Sequence, residues 1–301
     1  MINGNFHGLP TYVLSNEHLT LELLQDAGPR IVRLIPAGTD TNLFAELPHV
    51  QLPSPYGPYT LYGGHRLWHA PEMPARTYVP DDSDVTAHAT PHGARMHLPA
   101  DAHSHIAKTV EVELRDHSPT VLVRHTLRNE GHWPVELAAW AITQLPTGGV
   151  AILPQTTAPL DEAGLLPNRR LALWPYTRWS DARLQTEDDY ILVHGRGDMP
   201  PRFKIGYLNR HNWCAHLGQG YLFVKETRPR LQRPHADLGC NTEAYTDDRF
   251  LELETLSPLV RLSPGAELCH EERWQVHPAP GVSPTLDALR DYLATLPLTK
   301  P

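Results

Sequence analysis

The sequence predicts an all-β fold of sandwich or barrel type, with large antiparallel sheets. Polar and apolar residues alternate with period two over residues 19–23, 110–114, 121–127 and 250–254, the pattern of strands that bury one face. Turn formers such as Asp26-Ala27-Gly28-Pro29, Asn129-Glu130-Gly131 and Ser263-Pro264-Gly265 punctuate the chain. Short strands at roughly ten-residue spacing follow from them. No strand–helix–strand rhythm runs through the sequence, which disfavours Rossmann and TIM architectures.

Each element has its own signal. In residues 19–23 the leucines point one way and Thr20 and Glu22 the other; residues 110–114 and 121–127 repeat the arrangement with valines. Residues 145–188 are the least regular, rich in Pro, Gly, Trp and Arg, and read as a functional loop or lid. Residues 250–254 place Leu251 and Leu253 on one face and Glu252 and Glu254 on the other. One helix is signalled at about residues 284–296: Ser283 as N-cap, Pro284 at the first helical position, and Leu286, Leu289, Leu293 and Leu296 at helical spacing. It is expected to close a single domain spanning residues 1–301.

Composition narrows the partners. The 301 residues are 41% hydrophobic and 20% charged, too apolar for disorder and without the long apolar run of a membrane helix. With 26 basic against 34 acidic residues and a net charge of -8, no basic stripe suggests nucleic acid or a membrane surface as partner. Only four of the cations are lysines, Lys108, Lys204, Lys225 and Lys300. Three widely spaced cysteines without a CxxC pair, and the lack of a secretion signal, lead to the expectation of a cytoplasmic protein.

Four constellations could carry chemistry. Gly63-Gly64-His65-Arg66-Leu67-Trp68-His69-Ala70-Pro71-Glu72 joins two conformationally free glycines to an imidazole, a guanidinium, an indole and a carboxylate, a mixture suited to a polyhydroxylated ligand. Its plain alternative is a hairpin with Trp68 in the core and Arg66 paired to Glu72. Glu252 and Glu254 share a strand face: lining a cavity, two like charges push one pKa upward, and facing water they are merely solvated. Residues 204–213, with Lys204 and Asn209, and residues 221–226, with Lys225, place two scarce lysines on strand-like segments, where a buried ammonium needs a carboxylate or ligand partner. His103 and His105 would share a face if they lay on a strand and could then chelate a metal, against the alternative of an ordinary polar loop. No P-loop, dinucleotide fingerprint or Gly-x-Ser-x-Gly elbow is present.

The run Phe250-Leu251-Glu252-Leu253-Glu254-Thr255-Leu256-Ser257-Pro258, followed by Ser263-Pro264-Gly265-Ala266-Glu267 and Glu272-Arg273-Trp274, resembles the end of aldose 1-epimerases. With Gly28-Pro29-Arg30-Ile31, Asn42-Leu43-Phe44, Gly63-Gly64-His65-Arg66-Leu67-Trp68 and Leu173-Trp174-Pro175-Tyr176-Thr177, the likeness extends over most of the chain to the galactose mutarotase-like superfamily. The resemblance implies a β-supersandwich with a sugar cleft on one concave face and an isomerase without metal or organic cofactor. It places Glu254 at the catalytic base, Arg66 at a substrate-binding arginine of an early strand, and Trp140 where those enzymes carry a histidine acid. His65 is then the expected proton donor, in one cleft with Arg66, Glu252 and Glu254. Trp68, Trp140, Lys204, Asn209, Lys225, Glu243 and Glu252 are expected to position the sugar. Because an indole moves no protons, a noncatalytic sugar binder is the alternative.

Overall fold

Residues 2–298 are described by a computed structural model. About half of the chain is strand and about 4% helix, so the all-β expectation holds. One sheet runs in the spatial order Ile2–Phe6, Leu9–Ser15, Leu19–Leu24, Arg30–Pro36, His65–Ala70, Val135–Pro146, Phe250–Leu256, Thr242–Thr246, Phe203–Tyr207 and Leu171–Leu173, with Val260–Leu262 beside the start of Val135–Pro146. The second runs Leu184–Thr186, Tyr190–His194, Val150–Pro154, Trp213–Gly218, Tyr221–Glu226, Glu267–Pro278, Thr120–Asn129, Ile106–Leu114, Gly93–Leu98 and Thr86–Thr90. All pairings are antiparallel. A separate hairpin, Glu46–Ser54 with Gly57–Gly63, lies against the outer face of the first sheet.

The main core fills the space between the sheets, where Leu21, Leu23, Leu67, Leu251 and Leu253 meet Val110, Val121, Val123, Phe223 and Trp274. The Thr120–Asn129 strand alternates as its sequence predicts, Val121, Val123 and Leu127 inward and Leu122 and Arg124 outward. The middle of the first sheet departs from the one-face pattern, because every residue of His65–Ala70 and Phe250–Leu256 is buried. Its outer face is covered in turn by Tyr59, Leu61 and Leu47 of the hairpin, which pack on Trp68, Trp140 and Ile142.

The Gly63-Gly64 pair joins hairpin to sheet with positive φ of 90° and 67°. A Cβ would stand 1.9 Å from the Ala45 carbonyl oxygen at Gly63 and 2.1 Å from that of Ile31 at Gly64, so only glycine admits this approach of three backbones.

The C-terminal helix spans Leu286–Leu293 and begins later than expected. Its N-cap position is Thr285, not Ser283, and Pro284 precedes the cap instead of occupying the first turn. Leu286, Leu289 and Leu293 nonetheless pack on Val150, Ile152, Trp213, Ala215, Leu222 and Val224 of the second sheet's outer face. Arg290 clamps Asp189 at 2.7 and 2.5 Å. Replacing Leu289 by Ala removes a buried side chain from this seam and is expected to cost about 2–5 kcal/mol in urea unfolding, whereas Leu166→Ala, at a residue 59% exposed, costs less than about 0.5 kcal/mol. Equal effects of the two would contradict the helix's closing role.

Candidate functional site

Alternation decides which side chains can meet. On the first sheet, Arg66, Trp68, Trp140, Gln144, Glu243, Glu252 and Glu254 project from the outer face, and the register sets Glu243 opposite Glu254 and Gln144 opposite Glu252. Lys204, on the edgeward Phe203–Tyr207 strand, reaches over Glu243, its Nζ 2.8 Å from Glu243 Oε2 and 2.9 Å from Glu254 Oε2. Trp140 Nε1 donates to the same Glu254 oxygen at 2.6 Å. The indole standing where the resemblance expects a histidine therefore orients the glutamate. Beside this triad, Arg66 Nη2 and Gln144 Nε2 both donate to Glu252 Oε1, at 2.9 and 3.0 Å, and the guanidinium lies 4.1 Å from the Trp68 ring centre.

Glu252 and Glu254 are thus not solvated: they are 7% and 0% exposed. Each buried carboxylate has its cation, as the cost of an unpaired buried charge requires. Burial disfavours the Lys204 ammonium, but Glu243 and Glu254 together hold its pKa well above the ordinary value. Burial pushes the Glu243 carboxyl well above its usual range, Glu254 and Asp237 adding to the effect against Lys204. Glu252 rises for the same first reason, opposed by Arg66. Several buried polar atoms keep no hydrogen-bond partner among the described residues: Glu254 Oε1, Gln144 Oε1, and Nε and Nη1 of Arg66. This density of open donors and acceptors is what a polyhydroxylated ligand would satisfy.

The Leu173–Thr177 run, which the resemblance singles out without a role, forms a roof over this cluster. Trp174 sits 4.7 Å from Lys204 Nζ, pinned by Thr177, whose hydroxyl donates to the Lys204 carbonyl at 2.6 Å and accepts its N–H at 2.9 Å. The irregular segment expected to serve as a loop or lid is the one that supplies these residues. Tyr78 and Tyr176 are half-buried, and burial raises the pKa of both hydroxyls; their charged neighbours include Glu252 and Arg66 for Tyr78, and Lys204 and Glu254 for Tyr176. Asp237, its own carboxyl raised by burial, approaches Lys204 and Glu254. Gln144 is legible from its spacing of four from Trp140; Tyr78 and Asp237 come from other connections and carry no local signal.

Three expected site residues lie elsewhere. His65 precedes Arg66 on the same strand and so points to the opposite face, into the space between the sheets. There Thr143 Oγ1 lies 2.8 Å from its Nδ1 and His125 Nε2 lies 2.7 Å from its Nε2. It cannot share the cleft with Glu254. Lys225 belongs to the second sheet and enters that same interior, pairing with Glu272 Oε1 at 2.9 Å and donating to the carbonyls of Ala141 and Leu253 at 3.2 and 3.1 Å. Asn209 spends its side chain on its own turn, Nδ2 donating to the Trp213 carbonyl and Oδ1 accepting from His211 N–H, both at 2.9 Å. His103 and His105 occupy a turn, not a strand: His103 stacks on Tyr56 at 3.7 Å and His105 has a left-handed backbone.

The interior network is the one place among the described residues where metal-type ligands converge, His65, His125 and Glu272 bringing their atoms within 4.8 Å. Its geometry is satisfied by hydrogen bonds. Trp274 Nε1 donates to Glu272 Oε2 at 2.8 Å, and Lys225 neutralises the other oxygen. The His125 Nδ1–H donates to the His270 carbonyl at 3.1 Å, leaving Nε2 to accept from His65. Lys225 also ties the strand of Trp140 to that of Glu254 from beneath through the carbonyls of Ala141 and Leu253.

The sequence matches no family model and no curated protein. Solved structures do match. A candidate aldose 1-epimerase from Klebsiella pneumoniae superposes with a TM-score of 0.63 at 11% identity, over 100% of this chain and 87% of that one. A candidate mutarotase from Salmonella typhimurium gives 0.57 at 10% identity, over 92% and 93%, and a galactose mutarotase-like protein from Lactobacillus casei 0.54 at 11%, over 89% and 100%. The fold is the galactose mutarotase-like β-sandwich. Within that mutarotase-like frame the polar cluster lies on the outer face of the first sheet, under the roof of Trp174, Tyr176 and Tyr78. No helix among the described residues is long and apolar enough to cross a membrane.

Two outcomes follow from the buried charges. Burial lowers the pKa of His65 and His125, and takes His69 and His270 to about 3 and His216 to about 4. The unfolded chain therefore binds more protons once pH falls below about 6.5, and stability drains at about 1.4 kcal/mol per pH unit for each such histidine. The raised Glu243 and Glu252 act in the opposite sense above about pH 4.5 but are fewer. The melting temperature is expected to fall from pH 7 to pH 5; a flat or rising profile would contradict the neutral, buried histidines. Lys225→Met, which strands the Glu272 charge between the sheets, is expected to cost about 3–5 kcal/mol in denaturant unfolding, and a loss below about 1 kcal/mol would show that the pair is not buried as described.

Proposed function

We propose that the protein is a mutarotase-type isomerase acting on a neutral sugar, with Glu254 as base and Glu243 as acid. The observation that carries this reading is the unequal pair of carboxyl groups on one lysine. Glu254 accepts from Lys204 and Trp140 through one oxygen and leaves the other open, while Glu243, opposite it, is pushed by burial toward its neutral, proton-donating form. Glu254 Oε1 would take the proton of the anomeric hydroxyl as the bond between the anomeric carbon and the ring oxygen breaks. Glu243 would give its proton to the ring oxygen, and reclosure on the other face of the carbonyl, with the proton movements reversed, yields the other anomer. Arg66, Gln144 and Glu252 would hold hydroxyl groups, with Trp68, Trp140 and Trp174 bounding the ring. Even with Glu243 neutral, Glu72, Asp237, Glu252 and Glu254 outnumber the cations Arg66, Lys204 and Arg202 about this cleft, which favours a neutral sugar over a phosphorylated one. Because the cluster is almost wholly buried, entry would require Tyr78 and Tyr176 to swing aside.

Anomer exchange of a panel of free aldoses, followed by NMR, tests the proposal. Glu254→Gln is expected to lower the rate of any accepted sugar by about 10²–10⁴, while His65→Asn, on the other face of the sheet, leaves the rate per folded molecule within about threefold. An unchanged rate in Glu254→Gln would remove the base. The noncatalytic binder, favoured by the absence of a cleft histidine, predicts instead a sugar that raises the melting temperature with no acceleration of exchange.

A further inference from the structure

A cavity of about 1000 Å³ opens where the connection 227–241 and the Val260–Leu262 strand lie beside Thr120–Asn129 and Glu267–Pro278. Its wall carries six arginines. Two are neutralised, Arg124 by Glu271 and Arg273 by Glu226, each at 2.9 Å. The remaining four, Arg228, Arg230, Arg233 and Arg261, have no carboxylate within ion-pair distance among the described residues. The other carboxylates of the wall are mostly committed: Glu272 to Lys225 and Glu113 to Arg115, leaving Glu111. In a chain of net charge -8, the cavity therefore gathers a surplus of about three positive charges.

The backbone that carries Arg228, Arg230 and Arg233 is held in place. Pro229 and Pro234 stiffen the connection. Thr227 N–H donates to the Asn212 carbonyl at 2.7 Å, Arg233 N–H to that of Arg230 at 3.0 Å, and Leu259 N–H to that of Pro234 at 2.9 Å. The buried His235 roots the segment, its ring hydrogen-bonded to the Arg233 backbone. Guanidinium groups gathered on one wall repel one another unless an anion lies between them, and each presents a two-pronged donor matched to a phosphate edge.

The geometry points to this cavity as a binding site for a small anion bearing two phosphate groups. Two phosphates carry roughly three to four negative charges at neutral pH, which balances the surplus; a single carboxylate does not. The wall offers no Tyr, Phe or Trp platform for a nucleobase, and its unpaired charge is what a diphosphate matches. The site shares none of the cluster around Glu254 and does not depend on the isomerase reading.

Inorganic pyrophosphate is the probe, compared with sodium chloride at equal ionic strength. At ten times its Kd it is expected to raise the melting temperature of the wild type by about 3 °C. The rise should vanish in Arg230→Ala/Arg233→Ala and shrink in Arg261→Ala, which alters a different strand, all being exposed positions with little effect on folding. Glu254→Gln should keep the full rise. The proposal is overturned if pyrophosphate acts no differently from chloride, if the arginine variants respond like the wild type, or if adenosine diphosphate binds more than tenfold tighter than pyrophosphate.

Discussion

Strands that are buried on both faces leave no neutral place for a polar side chain, and this constraint governs the middle of the first sheet. His65–Ala70, Val135–Pro146 and Phe250–Leu256 face the second sheet on one side and the hairpin and loops on the other. Every charge they carry must find a partner on its own side. The result is two polar clusters back to back: Lys204 and Arg66 with Glu243, Glu254 and Glu252 outside, and Lys225 with Glu272 and the histidines inside. Two of the chain's four lysines each serve one of them.

The same alternation explains what could and could not be read in advance. That Glu252 and Glu254 share a face with each other follows from their spacing; their residues alone leave that face open between a cavity and water, and the expectation of a shared cleft is the one the buried pair bears out. Alternation also denies His65 to that face, since neighbours on a strand diverge; the paired glycines before it suggested a delivered pair, but they serve the close approach of Ala45 and Ile31. Lys225 looked like a partner for the glutamates because sequence does not reveal which sheet a strand joins. The strand of Lys225 pairs with Trp213–Gly218 and Glu267–Pro278, and its ammonium reaches the site strands only through their carbonyls. Trp174, Tyr176 and Asp237 arrive from connections whose paths are set by long-range packing. The helix position was legible to within a few residues, its leucines being periodic and its cap not.

Trp140 ties these observations together. Its indole stacks against Trp68 edge to face at 5.5 Å, lies 4.5 Å from Lys204 Nζ, and donates to Glu254. One large side chain thus fixes the Glu254 carboxylate, shields its ammonium partner and closes the apolar floor. The histidine expected there by resemblance is replaced by a group that positions without transferring protons, so the proposed proton donor moves to the neighbouring carboxyl of Glu243. The proposed chemistry then rests on two glutamates that differ only in what surrounds them.

The most direct measurement is a crystal structure of the protein soaked with a neutral aldose that shifts its melting temperature. The account predicts the ring between Trp174 and Trp140, with the anomeric hydroxyl about 3 Å from Glu254 Oε1 and the ring oxygen on the Glu243 side. Sugar bound anywhere else, with the Glu254 cluster closed and unchanged beneath Tyr176, would contradict it.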